Sequence, residues 1–116
     1  MRTILNLKNK SMILYNITIS VDASCAQQWL EYMEKEHIPA VLATRHFRDY
    51  KLCRVEGDEQ GGLTYAVQFL ANSVEAFNTY QKDCAPALQN DFTSKWGSKA
   101  AAFRTILPVI SEGSAK

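Results

Sequence analysis

The feature that most constrains the fold is a long helical stretch at residues 29–47 with a proline near its middle. Charged side chains cover one side of it and mostly apolar ones the other, which is typical of a helix packed against a core. Pro39 has no N–H and disfavours helical geometry at Ile38, so we expect a kink near Ile38 and a second short helix over residues 39–43. The predicted apolar face comprises Ala26, Trp29, Leu30, Met33, His37, Val41 and Thr44.

Four other stretches alternate between two sets of side chains with period two, which predicts β-strands. A polar, glycine-rich loop at residues 57–62 joins the second and third strands as a hairpin. Pro108 indicates that the end of the last strand lies at an edge of the sheet. The predicted strands are residues 12–21, 47–56, 63–71 and 100–110.

A second helix is predicted between the third and fourth strands. It runs to about residue 83, where Pro86 breaks it and starts a second segment that reaches Trp96. Gly97 is suited to end that segment. Capping boxes are predicted at the two helix starts, formed by Ser24 with Gln27 and by Asn72 with Glu75.

The predicted order β-α-β-β-α-β is that of a ferredoxin-like α+β sandwich with a four-stranded antiparallel sheet. In the usual arrangement strands one and three are central and both helices cover one face. The other face then mixes apolar and polar groups, and exposing it would leave a patch of the kind that marks an interface. We therefore expect a homodimer through this face. Its predicted residues are Leu14, Asn16, Thr18, Ala66, Gln68, Leu70, Arg104 and Ile106.

Composition narrows the functional classes. The 116 residues fit one domain, expected over residues 12–111, with an extension at 1–11 and a tail at 112–116. A net charge of +1 does not indicate the basic surface that nucleic-acid binding needs. No apolar run is long enough for a membrane span. The 3 cysteines form no CxxC pair, which favours free thiols in a reducing cytoplasm.

Four short motifs resemble a bacterial family of domains of unknown function. They are HIPAVLAT at residues 37–44, TYAVQF at 64–69, APAL at 85–88 and AFRTIL at 102–107. That family looks like a member of the dimeric α+β barrel superfamily, which also holds antibiotic-biosynthesis-type monooxygenases, muconolactone-isomerase-like proteins and stress-responsive barrel proteins. The resemblance implies a dimeric α+β barrel, and it assigns no activity, because fold alone does not determine function.

His37 is the best candidate for a functional residue. In the resembling superfamily, pockets commonly lie between the helices and the sheet, and a histidine there could act as an acid, a base or a hydrogen-bond donor. The alternative is a core histidine that caps a backbone carbonyl freed by Pro39. The residues expected to bind a ligand are His37, Trp29, Met33, Tyr65 and Tyr80, although aromatic residues at such spacings are more often simply core.

A second candidate group is the polar set Asn16, Gln68 and Arg104, expected together on the uncovered sheet face. It could contact an anion, or it could form a hydrogen-bond network within the dimer interface, which we favour because Arg is enriched at interfaces. Cys25 lacks the neighbouring base that a nucleophile needs. His37 and His46 do not have the spacing of a metal site.

These observations leave two functions open. The first is a small-molecule-binding or structural homodimer without metal or organic cofactor. The second is a cofactor-independent monooxygenase- or isomerase-like enzyme that acts on a hydrophobic or aromatic molecule. If the protein is an enzyme, we expect a water-accessible pocket in which His37 and a second polar group converge. A structural protein predicts a filled interior with His37 bonded to backbone.

Overall fold

The computed structural model describes residues 11–57 and 61–115. The extension expected at residues 1–11 lies, apart from Ser11, outside the described residues. The strands and α-helices are β1 (Ile13–Asp22), α1 (Ala26–Tyr32), α2 (Ile38–Ala43), β2 (Phe47–Arg54), β3 (Gly62–Ala71), α3 (Val74–Thr79), α4 (Ala85–Trp96) and β4 (Ala100–Pro108).

The strands form one antiparallel sheet in the order β2-β3-β1-β4. The two central strands pair along their whole length, with Asn16 opposite Gln68 and Ile17 opposite Val67. Pro108 lies at the end of the edge strand β4, where its missing N–H breaks no internal ladder. The ferredoxin-like α+β fold predicted from the sequence is confirmed.

Each helical connection contains one turn of π-helix. We call residues 26–43 the first arm and residues 74–96 the second arm. In the first arm Met33–His37 forms the π-turn, and the Ile38 N–H bonds to the carbonyl of Met33, five residues earlier. In the second arm Tyr80–Cys84 does the same, with Ala85 N–H bonding to Tyr80. Each π-turn ends just before a proline, so the backbone accommodates the missing N–H by widening.

The π-turn changes which side chains of the first arm face the core. In an uninterrupted α-helix, His37 would lie on the same face as Met33, because it follows Met33 by four residues. The wider turn brings Ile38 there instead, and Ile38 is fully buried while His37 is only half-buried. The helix thus restarts at Ile38 after a π-turn, and Ile38 rather than His37 takes the fully buried position next to Met33, while His37 lies half-buried beside Tyr32 and Phe92. The arm ends at Ala43, and Arg45 takes a left-handed conformation with a φ of 68°.

The caps differ from the predicted capping boxes. The first arm starts from a 3-10 turn, Ala23–Cys25, in which the Asp22 carboxylate accepts the Ser24 N–H at 2.9 Å. The second arm is capped by Ser73, whose hydroxyl accepts the Ala76 N–H at 3.0 Å. The capping residue therefore lies one position after the predicted Asn72 in the second arm, and Ser24 caps no helix in the first.

Both arms pack on the same face of the sheet and build one aromatic core. Tyr15 on β1 contacts Phe77 at a ring distance of 5.0 Å, and Phe47 meets Tyr80 at 4.7 Å. Trp29 is 0% exposed and lies 4.9 Å from the Tyr65 ring. Burial of each large apolar side chain contributes roughly 1.5–3 kcal/mol, so this interior dominates the stability of the fold.

The register of β4 corrects the predicted sheet faces. Arg104 pairs with Ile17 and Ile106 with Tyr15, so both lie on the helix-covered face rather than the open one. Phe103, Thr105 and Leu107 lie on the open face instead. The small residues Ala100 and Ala102 face the helices at this edge and leave space there.

The open face carries exposed apolar groups. Phe103 is 63% exposed and Leu107 is 40% exposed. Leu14 and Leu70 lie opposite each other on the central strands and are partly exposed. The expectation of an uncovered, mixed face is confirmed for these residues, with Phe103 and Leu107 in place of Arg104 and Ile106.

Candidate functional site

A narrow cleft separates the two arms from the sheet near its β4 edge. The space left for a water-sized molecule is about 30 Å³. That is more than one water requires, roughly 10–15 Å³. The lining residues are Tyr15, Ile17, Ile19, Met33, His37, Val41, Val67, Phe69, Tyr80, Leu88, Gln89, Phe92, Ala102 and Arg104.

Five polar side chains converge on this otherwise apolar space. Tyr15 comes from β1 and Arg104 from the neighbouring strand β4. Arg104 pairs with Ile17, two residues after Tyr15, so the two side chains lie on the same face of the sheet. The first arm contributes His37 from its π-turn. The second arm contributes Tyr80 and Gln89. Both arms and the sheet are therefore needed to assemble the group.

The imidazole of His37 is held by ring contacts rather than by hydrogen bonds. It stacks on Tyr32 at 5.9 Å and meets the edge of Phe92 at 5.6 Å. Within the described part of the chain neither ring nitrogen has a hydrogen-bond partner. Burial lowers the pKa of His37, which Asp91 opposes and the charges of Arg104 and Lys95 reinforce. The ring is therefore neutral at pH 7, with one nitrogen able to accept a proton.

The two tyrosines are neutral hydrogen-bond donors. Burial raises the pKa of the Tyr15 phenol, while the nearby Arg104 and Gln89 side chains oppose that effect. Burial also raises the pKa of Tyr80, and Tyr15 adds to the rise. Neither phenol ionises near pH 7, so each can donate its O–H to a bound oxygen.

Arg104 is the one cation among these lining residues. It makes no ion pair with any carboxylate of the described residues. Its guanidinium belongs to a largely exposed residue on the edge strand, so its charge stays hydrated while it borders the apolar space. An arginine in this setting can pair with an incoming anion without first breaking an ion pair to a described carboxylate, and the neighbouring Tyr15 can share the same anion.

The structure brings only some of the predicted site residues together. Met33, His37 and Tyr80 line the cleft. Trp29 and Tyr65 do not line it and instead form a core pair. The prediction that Trp29 and Tyr65 bind a ligand therefore finds no support in the lining of this cleft, because both side chains are buried against each other in the core.

The predicted polar cluster is divided between the two faces. Gln68 donates to the Asn16 side-chain oxygen at 3.2 Å, and Asn16 donates to Thr18 at 3.1 Å, all on the open face. Arg104 lies across the sheet from them. Sequence reasoning thus missed Arg104 and Gln89 as cleft residues. Only the pairing register of β1 with β4 could have placed Arg104 on the cleft side of the sheet.

Other kinds of site find no support in the described residues. No group of three or more His, Cys, Asp or Glu side chains is arranged to hold a metal ion there. None of the helices in that part of the chain is both long and apolar enough to cross a membrane. All three cysteines are free.

The sequence model of one protein family matches residues 12–110, and its description is Domain of unknown function (DUF4286). The chain belongs to this family. The predicted resemblance to such a family is thereby confirmed. No curated protein sequence matches the DUF4286 chain.

Solved structures with the same fold extend the comparison. A candidate antibiotic biosynthesis monooxygenase from Caulobacter crescentus is 20% identical, with a TM-score of 0.67 over 94% of this chain and 99% of its own. SnoaB, a cofactor-independent oxygenase from Streptomyces nogalater, is 10% identical, with a TM-score of 0.64 over 87% and 95%. MhuD, crystallised with two manganese protoporphyrin IX molecules per active site, is 21% identical, with a TM-score of 0.64 over 89% and 99%. At these identities the likeness shows the fold alone.

Proposed function

We propose that this DUF4286 chain binds a small, largely apolar molecule with one acidic oxygen in the cleft. The observation that carries the proposal is the cation without an internal carboxylate partner, Arg104, at the border of an apolar space that also contains neutral Tyr15 and His37. Arg104 would pair with a carboxylate or phenolate, and Tyr15 would donate to the same oxygen. Phe69 and Phe92 would contact the apolar body, since ligand pockets combine apolar walls with a few polar groups.

A second candidate function is cofactor-independent catalysis on such a molecule, of the oxygenase or isomerase type. It is favoured by His37, whose lowered pKa leaves a neutral base on the same cleft as Arg104. His37 would take a proton from an acidic C–H or O–H of the ligand, and the electron pair left behind would form an oxyanion that Arg104 stabilises. In an isomerase the proton returns to another atom of the ligand. In an oxygenase the anion would react with dioxygen.

Ligand binding is tested with a charged and a neutral form of one aromatic shape. 1-Naphthoate and 1-naphthalenemethanol are titrated against the native chain and Arg104→Gln by calorimetry. Loss of a charge-assisted pair should weaken naphthoate binding about ten-fold or more and leave the alcohol nearly unchanged. Arg48→Gln, on β2 outside the cleft, is the matched control. Equal loss for both compounds, or no binding of either, would contradict the proposal.

Catalysis is tested separately by proton exchange. 2-Tetralone has an acidic C–H beside its carbonyl, and its exchange in D₂O can be followed by NMR. Catalysis by His37 predicts an exchange rate above that of buffer, which His37→Gln reduces by roughly 10²-fold or more. If the exchange rate is unchanged in His37→Gln while naphthoate still binds, the protein binds ligands but catalysis by His37 is refuted.

We also propose that two copies associate through the open sheet face, in a reducing cytoplasm where the three thiols stay free. Phe103, Leu107, Leu14 and Leu70 supply the apolar surface, which a two-fold contact of at least ~1,000 Å² would cover. Phe103→Glu places a charge in such a contact twice and should give monomers in light scattering. Tyr50→Glu, an exposed aromatic on the helix-covered face, should not. A native chain that is monomeric at micromolar concentration would refute the dimer.

A further inference from the structure

The cleft is too small for the ligand that its chemistry suggests. About 30 Å³ is free, whereas a cavity that admits benzene measures roughly 150 Å³. An aromatic ligand therefore needs one wall of the cleft to move outward. Only the identity of the ligand rests on the proposed function. The movement of the wall can be measured without any ligand.

The wall formed by α4 is the least anchored. Of its residues only Ala85 and Phe92 are buried, although Leu88, Gln89 and Phe92 all line the cleft. The first arm, by contrast, buries Trp29, Met33, Ile38 and Val41 against the sheet. Moving α4 would therefore cost fewer apolar contacts than moving the first arm.

Three polar contacts hold α4 to the first arm at the solvent side of the cleft. Tyr32 donates its O–H to the Asp91 carboxylate at 3.2 Å, and burial together with Asp91 raises the pKa of this phenol. Lys95 lies 3.4 Å from Glu36 on the first arm, and it also lies 3.6 Å from Asp91 within α4, which positions its ammonium. Its ammonium also lies 5.1 Å from the centre of the Tyr32 ring. We call Tyr32, Glu36, Asp91 and Lys95 the latch.

The opposite end of α4 is a suitable hinge. The π-turn Tyr80–Cys84 precedes it, and Cys84 has a φ of −116°, outside the ordinary helical range. Pro86 gives no N–H to strengthen this junction. π-Turns and prolines are the usual sites at which helices bend.

We propose that α4 is a lid on the cleft, hinged at Tyr80–Cys84 and held closed by the latch. Opening separates α4 from the first arm and lets an aromatic ligand enter between Phe92 and the sheet. The charged residues of the latch, Glu36, Asp91 and Lys95, are exposed, so each ion pair holds the lid only weakly, and opening is frequent. A bound ligand replaces the contacts that Leu88 and Phe92 lose on opening.

Hydrogen–deuterium exchange tests the lid without any ligand. Glu36→Lys replaces an attraction to Lys95 by repulsion, and exchange of α4 amides should rise about two- to five-fold. Glu31→Lys is the matched control, because Glu31 pairs with Lys35 on its own arm at 3.6 Å rather than with α4. The double variant Glu36→Lys with Lys95→Glu restores an attraction and should return α4 exchange towards the native rate. Amides of β1 and β3 should not change in any of these proteins.

Ligand entry adds a second readout. The association rate of 1-naphthoate, measured by stopped-flow fluorescence, should rise in Glu36→Lys by the same factor as α4 exchange. Unchanged α4 exchange in Glu36→Lys, or equal effects of Glu31→Lys, would overturn the lid. Faster α4 exchange without any naphthoate binding would instead support the lid and refute the proposed ligand.

Discussion

The two arms share one backbone design and differ in how they are anchored. Each joins two short helices through a π-turn that ends just before a proline, at Pro39 in the first arm and Pro86 in the second. The first arm is fixed to the sheet by large buried side chains, whereas α4 rests on few. The same π-turn is therefore part of a rigid wall of the cleft in the first arm and of a movable wall in the second.

The difference follows from side-chain size at equivalent steps of the two arms. After the first π-turn comes Ile38, which fills the core, and after the second comes Ala85, which does not reach as far. Three positions further along, Val41 is buried in the first arm, whereas its counterpart Leu88 is only partly buried, and the next residue, Gln89, keeps a polar amide at the cleft. Smaller and more polar residues under α4 leave the space in which the candidate site lies.

The largest expected contrast comes from the two tryptophans. Trp29 is completely buried in the first arm, so Trp29→Ala should lower the free energy of unfolding by about 3–5 kcal/mol. Trp96 is half-buried at the end of α4, and Trp96→Ala should cost only about 1–2 kcal/mol. Urea unfolding of both variants measures the difference. Equal losses would show that the two arms are equally anchored.

A smaller contrast concerns the starts of the arms. The Ser73 hydroxyl caps the second arm, so Ser73→Ala should cost about 1 kcal/mol in urea unfolding. Ser24 donates to exposed Asp22 and caps no α-helix, so Ser24→Ala should change stability by less than about 0.5 kcal/mol. A larger loss at Ser24 than at Ser73 would mean that the 3-10 turn, rather than the helix cap, limits stability.

The smallest effect is the pH dependence from His37. Because burial lowers its folded-state pKa, the unfolded chain binds the proton more tightly. The stability linked to neutral His37 is complete above its unfolded pKa of about 6.5 and is lost as the pH falls through the lower folded value. Native protein should therefore lose stability between pH 7 and 5, and His37→Gln should lose less. The free energy of unfolding of His37→Gln at pH 7 should stay within about 1 kcal/mol of that of the native protein, because the substitution breaks no hydrogen bond.

Parallel slopes for the native chain and His37→Gln over that range would contradict the buried, neutral imidazole. A loss of several kcal/mol at pH 7 in His37→Gln alone would instead favour the core histidine that the sequence left open.

The fold was predictable because its signals are local. The alternation in β1 and β3 and the breaks at Pro39 and Pro86 each mark an element without reference to the others. The prediction of α2 and α4 as separate segments followed from the missing proline N–H alone.

The site was less predictable because it depends on register. Arg104 is on an edge strand whose two faces are both mixed in character, and apolar Phe103 and Leu107 suggested the wrong face for the core. A shift of one residue in pairing reverses every side chain of a strand, and no local pattern fixes it here. The π-turn likewise gave the fully buried position to Ile38 and left His37 half-buried at the cleft, which α-helical periodicity could not anticipate.

Methyl NMR during a titration with 1-naphthoate tests the central claim most directly. Methyl groups lining the cleft should shift with a single saturating curve, namely those of Ile17, Met33, Val41, Leu88 and Ala102. Those of Leu14, Leu70 and Leu107 on the open face should not shift. Shifts confined to the open face, or none at saturating naphthoate, would contradict the assignment of the cleft as the ligand site.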